Sequence, residues 1–157
     1  MIRINCSKPE DVSLFLPLMR EEDRLECSAW DASRTAKEAL EEGLKLSSPC
    51  FTATNEVRGG RIIGMGGFVP EPGTTEGAIW LLLSDEGLKF PKTLQRRTKD
   101  FLQLLQLRGV TRVYNHVWAK NIAHVKWVKR LGFTLRKPWQ SAQTGELFIP
   151  FEGYLNV

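Results

Sequence analysis

The chain has 157 residues, 42% of them apolar and 25% charged, with 22 basic against 18 acidic side chains and a formal charge of +4. That length suits one core-bearing domain, 1–157, rather than two, and the composition excludes a disordered or fibrous chain. The mild basic excess favours an anionic partner, a phosphorylated cofactor or nucleic acid, with a solvated basic surface as the plainer alternative.

Residues 2–6 alternate as a first strand, and Ser7-Lys8-Pro9-Glu10 reads as a helix start with Ser7 as N-cap. Leu14, Phe15, Leu18 and Met19 share one face of the helix that follows. Arg20–Ala29 carries mixed charges around Leu25, and Thr35–Leu46 places Ala36, Ala39, Leu40 and Leu44 at helical spacing. The period then changes. Cys50–Val57 and Ile62–Val69 read as strands joined through Gly59-Gly60, which predicts a β-hairpin. Glycines 64, 66 and 67 leave the second strand open to a close approach, by a ligand or by packed protein.

The run 78–84 (AIWLLLS) is continuously apolar, as a central strand is. A helix over Pro91–Arg108 carries leucines and Phe101 on a wide apolar face and stops at Gly109. Val110–Ala119 alternates as a strand, Asn121 opens a helix that closes at Leu131-Gly132-Phe133, and Phe133–Lys137 and Glu146–Leu155 are the last strands. The predicted fold class is α/β, a mixed sheet with helices on both faces.

Cys6, Cys27 and Cys50 are widely spaced, with no CxxC pair, and read as reduced thiols; with two histidines they give no metal-ligand spacing, so no metal is expected. The N-terminus MIRINCSKPED is charged throughout and has no signal-peptide core, and no apolar run approaches the ~20 residues that span a bilayer. A cytoplasmic protein with no membrane segment is expected. The basic cluster Lys89–Lys99 and the interleaved Trp118, Lys120, Lys126, Trp127, Lys129 and Arg130 suit nucleic acid weakly; a solvated helix face with core tryptophans is the simpler reading.

Asn121 stands eleven positions before Gly132, after the strand ending in Leu81-Leu82-Leu83-Ser84 and before Leu131-Gly132-Phe133. In this spacing and element order the chain resembles the GCN5-related N-acetyltransferase (GNAT) superfamily. The resemblance implies a V-shaped opening between strands 78–84 and 111–119 that holds acetyl-CoA (CoA) as co-substrate. It implies backbone pairing of Leu82, Leu83 and Ser84 with the pantetheine amides, as a peptide adds to a sheet edge. Asn121 would bond the pantetheine arm, a plain N-cap being its alternative, and His124, in the first helical turn, would contact the ligand or simply cap a partner.

Two positions depart from the family pattern. The Gly-rich pyrophosphate loop is replaced by Phe90-Pro91-Lys92-Thr93-Leu94-Gln95-Arg96-Arg97, where Lys92, Arg96 and Arg97 offer charge in place of a backbone nest. Val128 stands where many members carry a proton-donating Tyr. The resemblance also implies a base for the attacking amine, with Glu76 first and His116 second, each weighed against a solvated carboxylate or a sheet histidine. Asn-x-x-His, Val117-Trp118 and Met19–Glu26 further resemble GNAT-like proteins of short-tailed bacteriophages. Two functions follow: an acetyl-CoA-dependent N-acyltransferase acting on an amine, or a non-catalytic phage virion or assembly protein that binds a phage or host protein.

Overall fold

The structure is a computed structural model and describes residues 1–155. Strand β1 (Ile2–Cys6) leads into helix α1 (Pro9–Phe15), extended by a 3-10 turn over Leu16–Leu18 where Pro17 interrupts α-helical bonding. The helix is capped one residue later than Ser7. Lys8 is the N-cap and its backbone N–H donates to Asp11 Oδ2 at 2.8 Å, while Ser7 Oγ is held by Thr52 Oγ1 at 2.8 Å. Helix α2 (Glu21–Ala29) begins with three acids, which its positive N-terminal dipole favours. Helix α3 (Ala36–Leu46) is capped as its sequence demands, Thr35 Oγ1 accepting from Glu38 N at 3.1 Å.

The predicted hairpin is β2 (Cys50–Asn55) and β3 (Arg61–Pro70). A 3-10 turn over Glu56–Arg58 and two left-handed glycines, Gly59 (φ 68°) and Gly60 (φ 75°), make the reversal. A β-carbon on the glycines further along β3 would meet protein, one on Gly66 lying 2.7 Å from Trp80 O and one on Gly67 2.7 Å from Ser47 Oγ, and Gly64, Gly66 and Gly67 also line a cavity beside β4.

Strand β4 (Glu76–Leu83), helix α4 (Pro91–Leu107), strand β5 (Arg112–Trp118) and helix α5 (Ile122–Arg130) follow as predicted. Short strands β6 (Thr134–Leu135) and β7 (Trp139–Gln140) both pair with β8 (Leu147–Tyr154), so the segment between the last two predicted strands contributes an extra one. Eight strands make one mixed sheet in the order β1-β2-β3-β4-β5-β8-β6, with β7 on β8, confirming the expected α/β class.

The pleat of β4 sends Trp80 and Leu82 toward α1–α3, where Phe15, Leu40 and Met65 are buried. Ile79 faces the opposite way, toward Leu105 of α4 and Val128 of α5. The apolar face of α4 is narrower than its leucine content implies: Leu94 and Leu105 are buried while Leu107 is exposed.

The β4–β5 pair is parallel and brief. Only Glu76, Gly77 and Ala78 pair, with Arg112, Val113 and Tyr114. One residue beyond, the Asn115 side chain replaces the ladder, its Nδ2 donating to Ile79 O at 2.6 Å. From there the two strands part.

Candidate active site

An opened sheet leaves backbone donors that need partners, and α2 supplies them. Asp23 and Glu26 stand three positions apart, hence on one helix face. Asp23 Oδ2 accepts the Leu83 N–H of β4 at 2.7 Å, and Glu26 Oε1 accepts the Trp118 N–H of β5 at 2.9 Å. The two carboxylates therefore bridge the wide end of the V. Asp23 is fully buried, and its charge is met by Arg20 Nη1 at 2.8 Å, itself 4% exposed.

Asn121 is fully buried in the same cluster. Its side chain makes no cap bond to α5. Instead Nδ2 lies 2.9 Å from Asp23 Oδ1, 3.2 Å from Glu26 Oε2 and 3.3 Å from His124 Nδ1, while Oδ1 accepts from Arg20 Nη1 at 3.4 Å. The residue that marks the start of α5 thus ties α5 to α2. The ligand-type atoms of Asp23, Glu26 and His124 lie within 4.8 Å of one another. An amide NH2 already bonds that set and a guanidinium neutralises Asp23, so the two carboxylates are met by the protein itself, while Arg20 Nε and His124 Nε2 are buried without a partner among the described residues.

His124 stands between charges. Burial pushes its pKa down, but the Asp23 and then the Glu26 carboxylates outweigh burial and the opposing Arg20, leaving it raised. Its Nδ1 is 3.5 Å from Glu26 Oε2. On the far side of the ring, Nε2 is buried with no hydrogen-bond partner among the described residues, and so is Nε1 of Trp127, whose ring stacks on His124 at 5.9 Å.

These rings line a cavity of about 670 Å³ that occupies the V and reaches both faces of the sheet. Trp30 and Glu42 border it on the α2–α3 side, and Leu94, Arg97 and Phe101 of α4 on the other. Cys27 also lines it; burial first, then the neighbouring Glu26 charge, pushes its thiol up to about 12.

The strand edge presented to this cavity is Leu81. Alternate residues of a strand turn their backbone groups to the same side. Leu83 uses that side for Asp23 and for Arg20 N (2.8 Å to Leu83 O), and Ile79 uses it for Asn115. Leu81 lies between them, and no hydrogen bond reaches its N–H or C=O from the described residues. The expected edge residues are otherwise engaged. Leu82 is in register with Met65 and points its backbone toward β3, and Ser84 N donates to Ile63 O at 3.0 Å while its hydroxyl accepts from Gly87 N.

The predicted bases part company. Glu76 sits at the narrow, paired end of the V, 3.3 Å from Arg112 Nη1, while Nη2 of the same guanidinium binds Glu152 at 2.8 Å. Seven residues of strand, roughly 23 Å, separate it from Leu83, and it does not line the cavity. His116 does line it. Burial lowers its pKa, and its Nδ1 accepts from Trp139 Nε1 at 2.9 Å, so the neutral ring carries its hydrogen on Nε2. Lys92 and Arg96 are exposed on the first turns of α4, whose N-terminus has no side-chain cap; Arg97 borders the cavity and is 3.8 Å from Asp100.

Arg20, Asp23, Glu26 and Trp127 were not named as site residues from the sequence, which showed residues 20–29 only as mixed charges around Leu25 and Trp127 as one of the tryptophans interleaved with cations. The signal was there: 20, 23 and 27 recur at the spacing of a buried helix stripe, so two charges lie on the face that also carries Cys27.

A mixed sheet opened between two parallel central strands, with helices on both faces, is the GNAT fold, and this chain has it. Solved structures of that fold superpose over its whole length. The ribosomal-protein-S18-alanine N-acetyltransferase from Escherichia coli matches at a TM-score of 0.71 and 14% identity, covering 100% of this chain and 96% of that one. The acetyltransferase of GNAT family from Streptococcus pneumoniae matches at 0.70 and 12%, covering 99% and 100%. The yncA protein from Salmonella typhimurium, solved with its cofactor acetyl-CoA, matches at 0.74 and 12%, covering 100% and 95%. At such identities the likeness is one of fold. No protein-family model and no curated protein matches the sequence. Among the described residues no helix is long and apolar enough to cross a membrane.

Proposed function

We propose that the protein is an acetyl-CoA-dependent N-acyltransferase that passes an acyl group to an amine. The observation that carries this reading is the V itself: β4 and β5 part after three pairs, and the freed edge of Leu81 borders a cavity open to both sheet faces. Leu81 N–H and C=O are free to pair with the amides of a pantetheine arm, as a strand pairs with a sheet edge. Lys92, Arg96 and Arg97, at the α4 start, offer cations to the phosphates where the Gly-rich loop is missing. The amine enters from the α2–α3 side, past Trp30 and Glu42, and attacks the thioester carbon directly. Of the two base candidates, His116 is the one at the cavity. To take a proton on Nε2 it must move its own hydrogen to Nδ1 and release Trp139.

Thermal or calorimetric titration with acetyl-CoA tests the reading. At a hundred times its Kd the ligand stabilises the fold by about 2.7 kcal/mol. No shift at millimolar acetyl-CoA refutes it. With binding in hand, thiol release is measured against a panel of amines; His116→Gln lowers turnover and Glu76→Gln leaves it unchanged.

One observation favours a second reading, a non-catalytic protein of phage type that binds a phage or host partner. The backbone donors of Leu83 and Trp118 are filled by α2 carboxylates, and Val128 is buried in the core where an acid is usual. That reading predicts co-purification with a particle or partner and no acetyl-CoA binding.

A further inference from the structure

We infer that His124 is the proton donor to the departing thiolate, with Glu26 as the residue that positions it. The inference rests on the proposed acyl transfer and names the acid for it. An alkyl thiolate has an ordinary pKa near 8.5, so in an apolar cavity at neutral pH its departure is helped by a donor within reach. Val128 has no proton to give.

Two buried donors stand beside it without acceptors: His124 Nε2 and Trp127 Nε1, on stacked rings that both line the cavity. An unsatisfied buried donor costs about 1–3 kcal/mol, and a side-by-side pair is what a site holds for an anion that forms only during reaction. The surroundings of His124 keep a proton available. Arg20, Asp23 and Glu26 face it from α2, and Asn121 from its own helix entrance. Asp23 and Glu26 favour the imidazolium over the opposition of burial and Arg20.

In the imidazolium, Nδ1–H has Glu26 Oε2 at 3.5 Å, and Nε2–H is left unpartnered on a ring that lines the cavity. As the amine nitrogen forms its bond to the acyl carbon, the carbon–sulfur bond breaks with its electron pair on sulfur. Sulfur then takes the Nε2 proton, leaving a neutral imidazole with hydrogen on Nδ1 against Glu26. The proton lost by the amine passes to His116 and on to solvent, from which His124 regains its proton before the next turnover.

Two measurements test this without relying on turnover alone. Affinities for CoA and for desulfo-CoA are compared by calorimetry near pH 8 in wild type and His124→Asn. Wild type is expected to prefer CoA about fivefold or more, because the imidazolium stabilises a bound thiolate, and the variant is expected to bind the two alike. In the acyl-transfer assay, His124→Asn is expected to lose about 100-fold in kcat, with KM for acetyl-CoA within threefold, and to lose the descending alkaline limb of the wild-type kcat profile.

Equal affinity of wild type for CoA and desulfo-CoA overturns the assignment, and so does a variant that keeps the alkaline limb. Should the variant fail to fold, the wild-type comparison of CoA with desulfo-CoA still decides. A wild type that binds acetyl-CoA without turnover overturns the donor role while leaving the pocket reading intact; one that does not bind overturns both.

Discussion

Replacing Asp23 by Ala removes the acceptor on which the wide end of the V depends. Asp23 is fully buried and takes three donors: Arg20 Nη1 at 2.8 Å, Leu83 N at 2.7 Å and Asn121 Nδ2 at 2.9 Å. Breaking a buried ion pair from one side costs about 3–5 kcal/mol, because the remaining charge is left in a medium that cannot solvate it. Glu22, 3.4 Å from Arg20 and half exposed, keeps part of that charge compensated, which points to the lower half of the range. The orphaned Leu83 N–H adds an unsatisfied donor, about 1–3 kcal/mol, part of which overlaps with the first figure. Roughly 4 kcal/mol results. For a chain of this length that is a fall of about 8–16 °C in Tm.

Urea denaturation with thermal melts measures it. The double variant Arg20→Met/Asp23→Leu removes both charges and fills their volume, and is expected to recover at least half of the loss. An Asp23→Ala cost below about 1 kcal/mol, or a double variant worse than the single, would refute the claim that this pair is the buried support of the opened strands.

The pH dependence of folding follows from His124. Its folded pKa is raised, so the folded protein holds the proton more tightly than the unfolded chain. The stability it contributes is complete below the unfolded value of about 6.5 and is lost as pH rises through the folded one; His124→Asn flattens that slope in urea melts compared across pH. His116, lowered by burial, acts with the opposite sign in the acid range, so the wild-type-minus-variant difference is the quantity to read. The cysteines differ in reactivity: Cys6 is exposed and labels with a thiol reagent at neutral pH, whereas Cys27, buried and pushed up to about 12, labels only on unfolding. Lys92→Ala and Arg96→Ala each weaken acetyl-CoA binding by about two- to fivefold, as exposed ion contacts do. The triple change with Arg97→Ala makes binding nearly independent of salt, which calorimetry across ionic strength checks.

Much of this architecture is written in local pattern. The apolar run 78–84 fixed a central strand, Gly59-Gly60 a reversal, Thr35 a helix start, and Asn121 with Leu131-Gly132-Phe133 the entry and exit of α5. Each of these is decided by residues near one another in sequence, through backbone preference or amphipathic period, so each is legible before folding. The site was legible only in part. His116, His124, Arg97 and Asn121 were named and lie in or against the cavity, whereas Asp23 and Glu26 read as ordinary acids of a charged helix.

What the sequence by itself determined, then, is the succession of strands and helices and the resemblance carried by α5 and the strand before it. Only the tertiary structure decided that β4 and β5 separate after three pairs, that Leu81 rather than its neighbours presents the free edge, and that Glu76 stands at the closed end. The physical reason is that backbone groups in an opened sheet must find partners wherever the fold brings them. Here the partners come from α2, 60 and 92 residues away along the chain, and no local pattern encodes that meeting.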